Sequence, residues 1–142
     1  MTKHAESADR VFILGAGASK ACGLPLTNEL LPGVLPSLQP KSFRRQAQSF
    51  IKYLYPYFDS DWGNYPNIEE LLSLMDVYVE FSRKVKSSHR FDPAEVKILQ
   101  HKLLGAISVR LSQLSAKIRI RDTQFFRLAT ILRPGDVVIT FN

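Results

Sequence analysis

Val11-Phe12-Ile13-Leu14-Gly15-Ala16-Gly17-Ala18-Ser19 is the stretch on which the fold turns. Four consecutive apolar residues, bulky or β-branched, stop abruptly at glycine, which is the pattern of a short buried strand. The next residues, through Lys20-Ala21-Cys22, predict a tight turn and a short helix that Gly23 and Pro25 bring to an end. A strand running through glycines into a helix is a phosphate cradle by construction. Glycine lets the backbone pass close to a diphosphate, and the helix start offers unpaired N–H donors and the positive end of a dipole. Ser19 adds a hydroxyl donor. The alternative reading is a plain strand-to-helix turn with no ligand.

Downstream, Thr27 is placed to cap a second short helix over residues 28–31, with Pro32-Gly33 breaking it. Residues 41–133 read as almost wholly helical. Phe43, Ala47, Phe50, Ile51 and Leu54 recur at helical spacing, with Arg44, Arg45, Gln48 and Lys52 on other faces. Asn67 caps a helix carrying Leu71, Leu72, Met75 and Val79, with Glu69 and Glu70 in its favourable first turn. Asp92-Pro93 opens a long helix through Leu99, Leu103, Ile107, Leu111 and Leu114. Asp122 or Thr123 starts a last one, which Pro134-Gly135 ends. The aromatic stretch 55–67, with Tyr57, Phe58, Trp62 and Tyr65, reads as a loop packed on the helices or covering a ligand pocket. Residues 136–141 read as a second buried strand. The fold class is therefore α/β, with a large helical insertion (41–133) between a strand-turn-helix segment (11–31) and a second strand (136–142). Buried parallel strands need neighbours on both edges, so two strands make an incomplete sheet. The chain reads as the front part of something longer, or as one that leans on a second copy, a sensor domain or a partner protein.

Composition narrows the function classes. Of the 142 residues 45% are hydrophobic and 23% charged, the mix of a folded globular chain. One cysteine, Cys22, excludes an internal disulfide and a Cys-built zinc site, and fits a reducing cytoplasm. No apolar run approaches the length of a membrane span, and the first ten residues lack the apolar core of a secretion signal. The net charge of +6 would suit a phosphate-bearing ligand or nucleic acid. The basic residues are dispersed, without an aromatic-interleaved motif, and read as solvated helix faces rather than a nucleic-acid stripe.

Common nucleotide-site labels fit the glycine turn poorly. A dehydrogenase fingerprint wants a third glycine where Lys20 stands, and an acidic residue about twenty positions on. No Asp or Glu occurs between Glu29 and Asp59. A Walker A loop needs a Gly-Lys-Ser/Thr triplet, which is absent. A dinucleotide or ADP-ribose ligand remains, while hydride transfer and triphosphate hydrolysis lose ground.

The segment 11–19 followed by Gly23-Leu24-Pro25 resembles the opening of sirtuin-fold NAD-binding domains. Asn67-Ile68-Glu69-Glu70-Leu71-Leu72-Ser73-Leu74 and Val138-Ile139-Thr140-Phe141-Asn142 are similar to segments of the sirtuin-like NAD hydrolases of bacterial anti-phage defence. The resemblance implies a Rossmann-type parallel sheet, with Gly15, Ala16, Gly17 and Ser19 lining the NAD diphosphate and Asn142 at the nicotinamide ribose, orienting attack on its anomeric carbon. NAD is then the substrate, and no metal is required. The family's catalytic histidine lies downstream of the Thr-Phe-Asn strand and so is not in this sequence. By correspondence His4, His89 and His101 do not take its role; His89 and His101 read as helix-end or helix-face residues. Protein-deacylating sirtuins carry phenylalanine and arginine after Gly-Ile-Pro, whereas Leu26 and Thr27 stand here. That departure favours NAD glycohydrolysis over deacylation. An NAD-dependent deacylase, a non-catalytic NAD- or ADP-ribose-binding module, and a helical partner-binding protein with an incidental glycine turn remain as alternatives.

Overall fold

The computed structural model describes residues 10–85 and 90–140. The chain divides into two compact units, one of residues 27–113 and one of residues 1–26 with 114–142. The helical segment of residues 114–133 thus groups with the strands rather than with the insertion.

The helical unit holds the hydrophobic core. Helix α2 spans Thr27–Val34 and is followed by a 3-10 turn at Leu35–Ser37. Pro32 does not break α2, contrary to the sequence expectation. A proline inside a helix forfeits one backbone hydrogen bond at roughly 3 kcal/mol. Leu31, Val34 and Leu35 are all buried around it, and each such side chain contributes about 1.5–3 kcal/mol. Packing therefore outweighs the lost bond.

Helix α3 (Lys41–Leu54) buries Ala47, Phe50 and Ile51, the face its spacing predicted. Helix α4 (Ile68–Lys84) starts where expected: the Asn67 Oδ1 accepts from the Glu69 N–H at 2.9 Å. Helix α5 (Pro93–Ser115) starts after Asp92, whose Oδ1 accepts from the Ala94 N–H at 2.9 Å. Phe50, fully buried, meets Tyr78 and Phe91 edge-on at 5.3 and 5.1 Å. The Tyr78 hydroxyl donates to the Phe91 carbonyl and accepts from its N–H, tying α4 to the approach to α5. In the aromatic loop Phe58 is buried against Tyr65, while Tyr57 and Trp62 stand almost wholly exposed.

The other unit holds the sheet. Strand β1 (Val11–Leu14) leads into helix α1 (Ala16–Ala21), and helix α6 (Gln124–Ile131) leads into strand β2 (Val137–Thr140). Thr123 caps α6, its hydroxyl accepting from the Phe126 N–H at 3.2 Å. The two strands pair in parallel, Val11 opposite Val137 and Leu14 opposite Thr140. A parallel pair joined through helices is the expected α/β arrangement.

The strands are not buried, which corrects the sequence expectation. Val11, Ile13, Val137 and Ile139, all on one face, are 55%, 68%, 42% and 40% exposed. Two strands offer each other one edge only, and this face stays partly open to solvent. Among the described residues no helix is long and apolar enough to cross a membrane.

Candidate functional site

The glycine turn lies at the C-terminal end of β1. Because β1 and β2 run parallel with Leu14 opposite Thr140, both strands end on the same side of the sheet. In open parallel sheets that edge is where ligands bind. Asn142, His4 and His89 lie outside the described residues. His101 lies exposed on α5.

Gly15 is the N-cap of α1, in extended conformation (φ −105°, ψ −172°). Ala16 is the first helical residue, Gly17 the second, and Ser19 the fourth. The Gly15 carbonyl accepts from the Ala18 N–H at 2.9 Å. Ala16 and Gly17, in the first turn, have no intrahelical acceptor for their N–H groups. The turn is closed at the other end by Gly23, whose φ of +88° requires glycine and whose N–H bonds the Lys20 carbonyl at 2.9 Å.

Neither Gly15 nor Gly17 has that requirement. Neither is among the left-handed glycines, and a β-carbon on either would meet no heavy atom of the described residues within 4 Å. Glycine in a helix is less favourable than alanine by about 0.8–1.0 kcal/mol. Among the described residues, neither packing nor a left-handed dihedral holds Gly17 to glycine. Bare backbone facing open space beside unpaired N–H groups can receive a phosphate; a β-carbon would stand in its way.

Beyond α1 the same unit carries a cleft of about 500 Å³. Cys22 and Gly23 form one wall, and Leu114, Lys117, Arg119 and Asp122 are among the residues opposite.

No family model, curated protein or solved structure matches the chain.

The structure also supplies a framework element that the sequence reading missed. Arg10 and Asp136 each precede a strand by one residue and form a two-point ion pair, Nε to Oδ1 at 3.1 Å and an Nη to Oδ2 at 2.7 Å. The same Nη donates to the Ile131 carbonyl, and Asp136 Oδ2 also accepts from the Arg133 N–H at 2.7 Å. The Val137 N–H bonds the Arg10 carbonyl at 3.0 Å. The Arg10 hydrogen bond, aided by the Arg133 N–H, holds the Asp136 carboxyl below its usual range. This lock joins the residues that precede β1 and β2, at the start of their parallel register. Its signal was present in the sequence as opposite charges flanking the two apolar runs.

In the helical unit the Asn67 Nδ2 donates to the Thr27 Oγ1 at 3.3 Å. That bond joins the start of α4, where one segment of the resemblance begins, to the start of α2.

Proposed function

We propose that this chain supplies the diphosphate-binding part of an enzyme that hydrolyses NAD to nicotinamide and ADP-ribose, in bacterial defence against phage. One observation carries the reading. Two glycines that neither a left-handed φ nor a close neighbour among the described residues requires stand at the C-terminal end of a parallel strand. The resemblance of the segments at 11–25, 67–74 and 138–142 to sirtuin-like NAD hydrolases supports the identity of the ligand.

NAD carries its own good leaving group, a cationic nicotinamide, so the parts required of the protein are few. The backbone of residues 15–17 and the Ser19 hydroxyl bind the diphosphate and fix the dinucleotide's position. Asn142, two residues beyond β2 in sequence, offers uncharged donors and an acceptor to the ribose hydroxyls or to the attacking water.

The experiment is a paired measurement of NAD binding and nicotinamide release, made on this chain and on the full product of its gene. Saturable binding by both, with nicotinamide released by the full product in the absence of any acylated peptide, is the expected result. Binding without release would make the protein a sensing module, and release only in step with deacylation would make it a deacylase. No binding by either would return the glycine turn to an ordinary connection.

A further inference from the structure

Helix α4 turns one face to the core of the helical unit and an apolar-centred face to solvent. Leu71, Met75, Val79 and Ser82 are buried on the first. At about 100° per residue, Glu70, Ser73, Leu74, Val77, Phe81 and Lys84 share an arc of about 100° on the opposite side. Val77 and Phe81 are each 62% exposed, and Leu74 beside them is partly buried. A lone exposed apolar side chain needs no explanation, but here two stand at i and i+4 in the middle of one face.

The charges on that face are symmetric about Val77. Glu70 lies seven residues before it and Lys84 seven after, both exposed, each about 10.5 Å away along the axis and within about 20° of its direction. A second α4 laid antiparallel across Val77 on a two-fold axis sets Glu70 of each copy against Lys84 of the other. It also sets each Phe81 over the small Ser73. A parallel alignment would set like charge on like. A contact between two identical patches requires this self-complementarity. Acid at the start of a helix and base at its end also suit the helix dipole, but the dipole does not require them on the face that carries Val77 and Phe81. Glu80, at the margin of the face, is paired with Arg83 of its own chain at 2.9 Å. Glu70 borders the Tyr55 hydroxyl, and a carboxylate has lone pairs enough to accept from a lysine as well.

We propose that the Leu74–Val77–Phe81 face of α4 is a contact between two copies of this chain, with the helices antiparallel about a two-fold axis at Val77. The inference stands apart from the NAD reading. One helix face is a small interface, of the size at which association is weak and reversible.

The test is sedimentation equilibrium of the chain at low salt over a wide range of concentration, repeated on three variants. All the altered side chains are exposed, so helical circular dichroism should be kept. We expect a monomer–dimer equilibrium in the unaltered chain. Lys84→Glu sets carboxylate against carboxylate at both ends of the contact and should weaken the dimer about tenfold or more. Adding Glu70→Lys to it reverses both charges and should restore the affinity to within about threefold, which a merely structural effect of either change would not do. Val77→Arg places two like charges on the axis and should abolish the dimer, a check that holds even if a charge-reversed variant fails to fold. A chain that stays monomeric throughout, an association that Lys84→Glu or Val77→Arg leaves unchanged, or a double variant that does not recover would each overturn the contact.

Discussion

Replacing Gly17 with alanine separates a glycine kept for a ligand from one kept for the fold. Gly17 is the second residue of α1, its φ is not left-handed, and an added methyl meets nothing among the described residues within 4 Å. No steric penalty opposes the change. Helix propensity and the reduced entropy of the unfolded chain both favour alanine, together by roughly 0.4–1 kcal/mol. Stability should therefore rise slightly, seen as a higher urea midpoint with an unchanged slope. Affinity should move the other way. If the backbone at 15–17 approaches a diphosphate closely, a methyl there displaces it, and NAD affinity should fall tenfold or more, equivalent to about 1.4 kcal/mol. The assays are urea unfolding followed by circular dichroism and NAD titration by calorimetry, on the same preparation. A variant that is more stable and binds NAD as before would refute the cradle. A variant that is destabilised would refute the claim that the chain leaves this position free.

The Arg10–Asp136 lock predicts a pH dependence. The folded-state pKa of Asp136 lies below its unfolded value, so its contribution to stability is present above about pH 4 and lost as pH falls through the folded value. Asp136→Asn should lower the melting temperature of the strand-bearing unit at pH 7 and flatten its acid-induced loss of structure, measured by circular dichroism between pH 2 and 7. In the helical unit, Phe50→Ala removes a fully buried ring held by two edge-on partners and should destabilise by about 3–5 kcal/mol in urea unfolding. Asn67→Ala deletes the α4 cap and its bond to Thr27, and should lower stability by about 1 kcal/mol in the same experiment.

Local chemistry was legible in the sequence wherever a short stretch decides the outcome. The caps at Asn67, Asp92 and Thr123 each depend on one side chain bonding an amide two or three residues on, so composition alone reveals them. The glycine turn was likewise readable, because a strand, two glycines and a helix are contiguous. Pro32 was misjudged because its neighbours' burial comes from other helices, which no local pattern reports. The exposure of β1 and β2 was misjudged for a related reason: an apolar run declares a wish for cover but not whether cover is present. The Arg10–Asp136 pair and the Lys117–Arg119 cleft wall depend on residues brought together across the length of the chain. Only the parallel register makes the first pair meet.

The measurement that bears most directly on the central claim is nicotinamide release from NAD by the full gene product, set beside its Asn142→Ala variant. We expect nicotinamide and ADP-ribose in equal amounts from the unaltered protein. In the variant turnover should drop about a hundredfold with NAD affinity little changed, as for loss of a donor used mainly in the transition state. Undiminished release by the variant would contradict the role given to Asn142, and NAD binding with no release from the unaltered protein would contradict hydrolysis itself.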